Sequence, residues 1–478
     1  MRRCLWQSAF WVGAVSVLTL HLNNYACAWY PDALIRIPTS FDLRFIFTAI
    51  PVLHQANFGG GINVVQQMML LRVYFSAVAF AYFLPKDVSL SIGLGSYLFM
   101  WVAGISFSYG VWRGDMPHIP KLQNMFTCGA YLGIFFAILY TGRYYYANIF
   151  RRALFLPTRE QIAIDSVWGA RIFLVAIGVF VMILTSGGLD WPLAALYALL
   201  LVIIYLVMSR ILAETGMFYI MPWWSPGVVL LGFMGTKALG PQVILILNLL
   251  AVVLVFGYQA VPAREALMPY VINSLKLLEL RQVKISRGAI ACAVAVVLGL
   301  AVALPVTLWF QYDRGILAAG GYHTLSPRYA YAPAVRAQLE LMAQDNLELS
   351  NSLSGLDRFT HARPDTRSLI YFSIGLGLVL LFTTARLRFP KFPLHPVLFL
   401  VWITHPGRAF APSFLIGWLV KLLVTKYGGA TFYRKGMPLM FGLIAGEMLG
   451  GVIPMVVGAI YHLATGQIPK RGEVLLGM

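Results

Sequence analysis

The sequence predicts an all-α integral membrane protein, built as a bundle of about 12–13 transmembrane helices with at least one broken or re-entrant segment. Hydrophobic residues make up 59% of the 478 residues and charged residues only 11%, with a mean hydropathy of +0.76. Soluble globular proteins carry roughly 25% charged residues, and their single cores stop growing near about 250–300 residues. Lipid is therefore the expected solvent for most of the chain.

The apolar residues collect in about thirteen runs, most of them near the roughly 20 residues that a helix needs to cross a bilayer. The predicted spans are Leu5–Leu22, Met68–Leu84, Val88–Tyr109, Met125–Gly142, Ile172–Ser186, Trp191–Met208, Met217–Met234, Gln242–Tyr258, Ala289–Phe310, Ser368–Ala385, Leu394–Thr404, Phe410–Thr425 and Pro438–Ala464. The run Leu394–Thr404 is too short to cross alone at about 1.5 Å per residue. It is predicted to be a re-entrant half-helix.

Basic residues lie between these runs. Lys and Arg number 36 against 18 Asp and Glu, for a net charge of +18. In a soluble protein this excess would suggest nucleic acid, but here it is typical of cytoplasmic loops beside anionic lipid headgroups. The basic loops are 143–171, 264–287, 386–391 and 426–435. We therefore predict a multi-pass protein of the cell (inner or plasma) membrane with a cytoplasmic N-terminus, in contact with the lipid bilayer and not with nucleic acid.

The first residues, Met1-Arg2-Arg3, precede an apolar run and allow two interpretations. Small residues at Ala26-Cys27-Ala28 resemble the cleavage site of a signal peptide. A retained first helix with both arginines inside is the favoured alternative, because many further spans follow.

A long polar stretch divides the chain into three regions. They are an N-terminal transmembrane region 1–310, an extracytoplasmic loop or cap 311–367 and a C-terminal transmembrane region 368–478. Within the cap, Ala332–Ser350 is predicted to form a helix with Val335, Leu339 and Met342 on one side. The stretch Pro262–Arg287 has the spacing of an amphipathic helix on the cytoplasmic face rather than of a span.

The first candidate site is the stretch from Arg210 to Gly216. Arg210 and Glu214 are four residues apart, on one face of a helix, and can pair. A continuous helix is then disfavoured by Gly216 and by the prolines and the glycine that follow it as far as Gly227. Unwound backbone beside a paired carboxylate is typical of substrate sites in secondary transporters. The alternative is an interfacial ion pair at a helix end.

A second candidate site is the break at Leu84-Pro85-Lys86-Asp87. Charges at a helix junction in a membrane are candidates by default, because burying charge in lipid is costly. Lys86 and Asp87 could end two half-helices inside the bundle. The alternative is a tight cytoplasmic turn in which Asp87 caps the following helix.

Glu447 is the most specific single-residue candidate for a functional site, because it is an acidic residue within the last predicted span. It lies among Gly442, Gly446 and Gly450. Glycines allow neighbouring helices to approach closely, so Glu447 is expected to face protein rather than lipid. A buried carboxyl group can carry a proton, and the alternative role is a hydrogen bond that fixes packing. Lys421, on the preceding span, is a candidate partner unless it extends to the cytoplasmic edge of the membrane.

The sequence lacks the catalytic and cofactor motifs that were sought. It contains no HExxH, no GxSxG and no glycine-rich loop with GK[ST]. The four cysteines are not spaced as a zinc or redox site. His395 and His405 are each followed by proline at a segment boundary, which disfavours haem ligation. We therefore predict no enzymatic activity, no metal and no cofactor.

Several stretches resemble a family of bacterial multi-pass membrane proteins known as paired domains of unknown function. They are Tyr82–Ser91, Arg210–Gly216, His395-Pro396, Phe414–Lys421, Tyr427–Gly429 and Gly442–Glu447. That family is distantly similar to the oligopeptide-transporter superfamily, whose members are proton-coupled importers of peptides and metal chelates. The resemblance implies a transporter-like bundle in which Arg210, Glu214 and Glu447 are motif positions.

Two functional hypotheses follow. The first is a secondary transporter of a small organic or peptide-like solute, with proton coupling as one option, in which Glu214 and Glu447 carry the substrate or the proton. In that hypothesis the Gly216–Gly227 break binds the substrate. The second is a non-transporting membrane subunit that scaffolds or anchors a larger complex through the loops Asn23–Leu71 and Gln311–Arg367. The sequence leaves open whether the protein forms a homo-oligomer or binds a partner in a membrane complex.

Overall fold

A computed structural model describes most of the chain. The described residues are 6–46, 69–109, 122–158, 162–216, 222, 224–251, 254, 267–315, 322–402, 404–467 and 469. These residues form an almost entirely helical structure, as predicted. The chain divides into two compact units, which we call unit 1 (Met1–Asp115 with Pro390–Met478) and unit 2 (Met116–Phe389).

Unit 1 contains one small sheet and six helices among its described residues. The elements are α1 (Ser8–Trp29), β1 (Ser40–Asp42), β2 (Leu70–Arg72), α2 (Phe75–Phe83), α3 (Lys86–Ser108), α14 (Val397–Val401), α15 (His405–Leu423) and α16 (Gly429–Thr465), with a π-helical turn at Val424–Gly428 between the last two. The strands pair antiparallel, with Phe41 opposite Leu71. The short helix α2 packs against both α15 and α16, and α3 packs against α14 and α15.

Helices α1 and α16 are held close together by glycines. A Cβ atom on Gly442 would lie 2.1 Å from the carbonyl oxygen of Phe10, and one on Gly446 would lie 2.4 Å from that of Ala14. Because the contact positions advance together along both helices, α1 and α16 run parallel. The start of α1 and the start of α16 therefore lie at the same end of unit 1.

The predicted span Met68–Leu84 is wrong. This stretch contains the strand β2 and then the nine-residue helix α2, which is about 13 Å long and covers less than half of a bilayer core of about 30 Å. Strand pairing with β1 and hydrogen bonds from other helices interrupt the run. Hydropathy counts apolar residues and does not register either interaction.

The run Leu394–Thr404 is interrupted, as its length predicts. Its helix α14 has only five residues, all of them buried. The next helix begins at His405, where the Thr404 hydroxyl accepts a hydrogen bond from the N–H of Gly407. This side-chain cap gives the chain a new helix start immediately after α14.

Unit 2 contains ten helices among its described residues. They are α4 (Leu122–Ala153), α5 (Ile164–Ser186), α6 (Trp191–Thr215), α7 (Pro226–Ala251), α8 (Leu267–Leu280), α9 (Ile285–Arg314), α10 (Tyr322–Ala343), α11 (Leu347–Ser352), α12 (Asp357–Thr360) and α13 (Thr366–Arg388). Helices α4 and α13 run parallel and pack closely, since a Cβ atom on Gly129 would lie 2.1 Å from the carbonyl oxygen of Phe372. The helix α8 lies inside the stretch predicted as an amphipathic surface helix.

Helix α7 replaces two predicted spans, Met217–Met234 and Gln242–Tyr258. It is interrupted at Gly235 (φ 79°, ψ 170°) and Gly240 (φ 76°, ψ 162°), and Pro241 follows directly. Positive φ at this ψ is essentially restricted to glycine, and proline removes a backbone donor. The two apolar runs are therefore joined through a short kinked section instead of a loop. Within the first predicted span the helix begins at Pro226. Residues 217–221 and 223 of that span, and residues 252–253 and 255–258 of the second, lie outside the described part.

The predicted cap helix exists, but its packing face differs from the prediction. The segment forms α10 and α11 rather than one helix over Ala332–Ser350. Val335, Leu339 and Met342 are about half exposed, whereas the buried side of α10 consists of Ala330, Ala334, Ala337 and Leu341. Alanines have short side chains and allow α10 to lie directly against α7. The face that packs is therefore the one that permits close approach of the helices, not the one that carries the larger apolar side chains.

Eight helices in the described part of the chain are long and apolar enough to cross a membrane. They are Lys86–Ser106, Leu122–Ala153, Ile164–Ser186, Trp191–Thr215, Pro226–Ala251, Ser286–Asp313, Thr366–Arg388 and the continuous stretch Ala409–Thr465, which covers most of α15 and all of α16. This set is compatible with a multi-pass membrane protein. It is smaller than the predicted twelve or thirteen partly because some apolar runs form half-helices or merge.

Candidate functional site

The start of the short helix α2 is held by side chains from two other helices. Its N-cap residue Tyr74 has no side chain that can cap the helix. Instead, the N–H groups of Phe75 and Ser76 donate to the two carboxylate oxygens of Glu447, at 3.3 Å to Oε1 and 2.5 Å to Oε2. The Tyr74 N–H donates to the Ser413 hydroxyl at 2.9 Å. Three consecutive donors that would otherwise be unpaired are thus satisfied from α15 and α16.

The end of α2 is held by a lysine. Lys421 Nζ donates to the carbonyl oxygen of the C-cap residue Leu84 at 2.5 Å and lies 5.2 Å from the ring centroid of Tyr433. A carboxylate at the first turn and an ammonium at the last turn both complement the helix dipole. Glu447 and Lys421 therefore clamp one nine-residue helix at its two ends.

Glu447 is buried, as its glycine neighbours predict. Only 2% of the residue is exposed. Its carboxylate lies against the start of α2, and the neighbouring Gly446 and Gly450 bring α16 against α1. The predicted contact between Glu447 and Lys421 is wrong, since the two side chains bind opposite ends of α2, about 13 Å apart. A sequence pattern cannot show this, because the helix between them comes from a distant part of the chain.

Lys86 and Asp87 lie in the first turn of α3, directly after α2. Both interact electrostatically with Lys421. The junction is closed by the Ser89 hydroxyl, which donates to the carbonyl oxygen of Ala81 at 2.8 Å. The structure therefore brings Lys86, Asp87 and Lys421 to one end of α2 and Glu447 to the other.

Glu447 also lies at the centre of α16. Along α2, Phe75 and Ser76 contact Glu447, while Tyr82 near the other end stacks on Tyr433 at 4.9 Å and donates to its carbonyl oxygen at 3.0 Å. The helix α2 thus runs antiparallel to α16. It begins beside the middle of α16 and extends towards its N-terminal end.

The predicted pair Arg210–Glu214 forms in unit 2. Arg210 Nε lies 3.4 Å from Glu214 Oε2, and the two side chains are 57% and 46% exposed in the isolated chain. Helix α6 ends one residue later, at Thr215, and the following Gly216 adopts φ +69° and donates its N–H to the carbonyl oxygen of Leu212. The break after Gly216 is therefore present, and the pair lies at a helix end. Most residues between Gly216 and Ser225 lie outside the described part.

Sequence reasoning missed the most buried ion pair in the described residues. Arg358, from the predicted cap, is 8% exposed and binds Asp190, the N-cap residue of α6. Its guanidinium also donates to the carbonyl oxygens of Ala238 and Leu239, at 3.0 and 2.6 Å. The Gly240-Pro241 break leaves these carbonyl groups without helical partners, and it was the feature of the sequence that indicated a need for a donor. Nothing in the sequence connects this break to Arg358.

Among the described residues, no group of three or more His, Cys, Asp or Glu side chains is placed to hold a metal ion. No curated protein matches the chain. A model for a protein family of unknown function (DUF6785) matches residues 2–469, nearly the whole chain. The prediction of an uncharacterised family is thereby confirmed, and the chain belongs to the family of unknown function DUF6785.

Proposed function

We propose that this protein is a proton-coupled secondary transporter of a small organic or peptide-like solute in the cell membrane. The observation that carries the proposal is the clamp on α2, in which the buried carboxylate of Glu447 holds the start of a half-length helix. The resemblance to the oligopeptide-transporter superfamily points in the same direction. The N-terminus is proposed to be cytoplasmic.

The parallel alignment of α1 and α16 supports this orientation. It brings the start of α1 to the same end of unit 1 as Arg434 and Lys435, near the start of α16. Clusters of basic residues favour the cytoplasmic side. The start of α1 and the start of α16 are then both placed on that side. The junction at Lys86 and Asp87 lies at this end as well, which favours the cytoplasmic-turn interpretation of that break.

With this orientation, α2 begins near the middle of the membrane and ends on the cytoplasmic side. Half-helices whose N-termini lie at mid-membrane are the elements from which secondary transporters build their sites, because the free N–H groups and the helix dipole attract negative charge. In unit 1 that position is filled by a carboxylate of the protein itself. A buried carboxylate in a membrane is costly and is a functional candidate for that reason.

Proton binding changes what Glu447 can do. As a carboxylate, both oxygens accept hydrogen bonds, whereas a protonated carboxyl turns one oxygen into a donor and gives up part of its accepting capacity. Protonation therefore weakens the hold on the N–H groups of Phe75 and Ser76, while Lys421 still holds the other end of α2. The released N–H groups become available to an anionic group of the solute. Such a difference in contacts between two states is what coupling requires.

The experiment that tests the proposed transport is proton-driven uptake of radiolabelled dialanine into proteoliposomes. Glu447→Gln keeps the size of the side chain but cannot release a proton, so we expect it to abolish accumulation driven by an imposed proton gradient. Exchange of dialanine down its own gradient should continue. Glu279→Gln is the matched control, because Glu279 is an exposed partner of Lys276 on α8.

Two results would count against the proposal. Accumulation by folded Glu447→Gln at the wild-type rate would show that Glu447 carries no coupling proton. Loss of both accumulation and exchange, together with an earlier thermal unfolding transition, would reduce Glu447 to a packing residue that holds α2 in place.

A second candidate, the non-transporting membrane subunit, is favoured by one observation. The apolar window of α9 is the most hydrophobic among the eight candidate spans, and no residue of it is buried in the described chain. Such a helix suits contact with lipid or with another membrane protein. By contrast, the segment 322–367, part of the loop first considered for docking, packs within unit 2 through α10 and Arg358.

Native mass spectrometry after purification in mild detergent separates the two candidates. A homo-oligomer that carries a small molecule would support the transporter. Stoichiometric partner proteins without a small molecule would support the membrane subunit.

A further inference from the structure

Three buried polar atoms lie in a row on helix α1 of unit 1. The imidazole Nε2 of His21, the hydroxyl of Tyr25 and the indole N–H of Trp29 are shielded from solvent, and none has a hydrogen-bond partner within the described part of the chain. Successive members are four residues apart in one helix, so they lie one above the other on one face. The row is about 12 Å long at about 1.5 Å per residue.

Ring contacts hold this row against other elements of unit 1. The His21 ring makes an edge-to-face contact with Phe75, the first residue of α2, with centroids 6.3 Å apart. The Trp29 ring makes edge-to-face contacts with Tyr25 at 6.3 Å and with Tyr461 of α16 at 4.9 Å. The row therefore faces α2 at one end and α16 at the other.

The inner end of the row lies beside Glu447. His21 packs against Gly450, where an added Cβ atom would lie 2.7 Å from the Cβ atom of His21. Gly450 follows Glu447 by about one turn of α16. Phe75, whose ring contacts His21, donates its backbone N–H to Glu447 Oε1 at 3.3 Å. His21 and Glu447 thus both contact the first residue of α2.

The outer end of the row reaches partly exposed positions. His21 is only 6% exposed, whereas every residue from Leu22 to Trp29 is partly exposed in the isolated chain. In the proposed orientation the start of α1 is cytoplasmic, so Trp29 lies towards the extracytoplasmic side. Glu447 lies at the centre of α16. The row therefore covers most of the roughly 15 Å between the middle of a bilayer core and its surface.

The chemistry of the three groups suits them to hold water. An indole N–H donates, and a tyrosine hydroxyl both donates and accepts. An imidazole can bind a proton on one nitrogen and release a proton from the other. Water is the usual partner of buried polar groups that no protein atom satisfies. Three such groups on one helix face indicate a file of water molecules rather than one isolated molecule.

Along the row, Glu447 is the acidic group that a proton can reach. It is the only acidic residue within α1, α2 and α16, and no Lys or Arg lies in α1, in α2 or beyond Lys435 in α16. From the level of His21 to the ends of α1 and α16, the other titratable side chains on these two helices are Tyr25, Cys27, Tyr461 and His462. A proton that enters from the outer end therefore meets His21 before Glu447.

We infer that His21, Tyr25 and Trp29 line a proton path between the extracytoplasmic end of α1 and Glu447. Water held by Trp29 and Tyr25 delivers a proton to one imidazole nitrogen of His21. The imidazolium then loses a proton through water to the Glu447 carboxylate, which leaves neutral imidazole and a neutral carboxyl group. This inference rests on the proposed function, because it assigns the coupling proton of Glu447 a route and a side of entry.

The test is infrared spectroscopy of the purified full-length protein at an acidic pH at which Glu447 is protonated. The carboxyl C=O stretch of Glu447 is the band that Glu447→Gln removes, and its shift after transfer to D₂O buffer reports proton exchange at this residue. We expect His21→Phe and Tyr25→Phe each to slow this exchange by about tenfold, the effect of losing one hydrogen bond. Trp29→Phe should slow it less, because Trp29 lies where the row is partly exposed.

Tyr30→Phe and Trp11→Phe are the controls, because both residues are exposed, and neither should alter the exchange. His21→Phe keeps a ring against Phe75, whereas His21→Gln keeps a polar group that cannot carry a proton. Both should exchange slowly, so either one gives the result if the other does not fold. Wild-type exchange rates in folded variants at His21 or at Tyr25 would overturn the proton path.

The outcomes also separate the proton path from the transport proposal. Slower exchange in the His21 and Tyr25 variants, in a protein without proton-driven uptake, keeps the path and ends the transport proposal. Proton-driven uptake, together with exchange at Glu447 that these substitutions leave unchanged, keeps transport and ends the path.

Discussion

Replacing Arg358 with alanine is expected to lower the free energy of unfolding by about 3–5 kcal/mol, the usual effect of removing one partner from a buried ion pair. The Arg358 side chain is 10% exposed and that of Asp190 is 23% exposed. Without the guanidinium, Asp190 keeps a largely buried charge. The carbonyl oxygens of Ala238 and Leu239 lose their donor at the same time.

The position of Arg358 explains why the effect should be large. The break at Gly240 leaves carbonyl groups without helical partners, and proline at 241 provides no N–H. Arg358 satisfies them from a segment that is distant in sequence, so it joins α12, the break in α7 and the start of α6. Each of these contacts is made inside unit 2, where solvent screening is weak.

The measurement is reversible unfolding in detergent, followed by circular dichroism. Lys276→Ala is the control, because Lys276 and Glu279 form an exposed pair that is expected to contribute less than about 1 kcal/mol. The double variant Arg358→Ala with Asp190→Asn should recover part of the loss, since the unpaired charge is removed. A loss of under about 1 kcal/mol in Arg358→Ala would contradict the buried-pair interpretation.

Replacing Gly375 with alanine is expected to destabilise the protein by about 3 kcal/mol, at the upper end for overpacking. The added Cβ atom would lie 2.1 Å from the carbonyl oxygen of Phe126, and backbone cannot move away as a side-chain end can. Helices α4 and α13 would have to separate along their contact. The change from glycine to alanine is otherwise favourable in a helix by up to about 1 kcal/mol, so the two effects oppose each other.

Gly377 supplies the matched control. It lies two residues further along the same helix, and a Cβ atom there would have no heavy atom within 4 Å. Gly377→Ala should therefore leave the thermal unfolding temperature unchanged or raise it, while Gly375→Ala lowers it. Equal behaviour of the two variants would show that α4 and α13 are not in contact at the depth of Gly375.

Part of the site was predictable because it depends on local sequence. The glycines around Glu447 predicted a close helix contact, and Gly446 and Gly450 make that contact with α1. Gly216 and the prolines after it predicted the end of α6, since a left-handed glycine and residues without N–H groups disfavour a continuing helix. Arg210 and Glu214 pair because four residues make one helical turn.

Other features were not predictable because their causes lie far away in the chain. Met68–Leu84 has the hydropathy of a span, yet Glu447, Ser413 and Lys421 define where its helix begins and ends. The packing face of α10 was predicted from its largest apolar residues, but its alanines are what fit against α7. The contact of Arg358 with Asp190 joins residues 168 positions apart.

By itself, the sequence determined that this is a helical chain rich in long apolar segments. It also determined the positions at which charged residues can lie and the positions at which the helices must break. These properties follow from composition, from the residues needed per helical turn and from the backbone preferences of glycine and proline. Only the tertiary structure decided that Glu447 and Lys421 hold opposite ends of one short helix. The physical reason is that helix ends need partners for their unpaired N–H and carbonyl groups. Which side chains provide them depends on how distant helices pack.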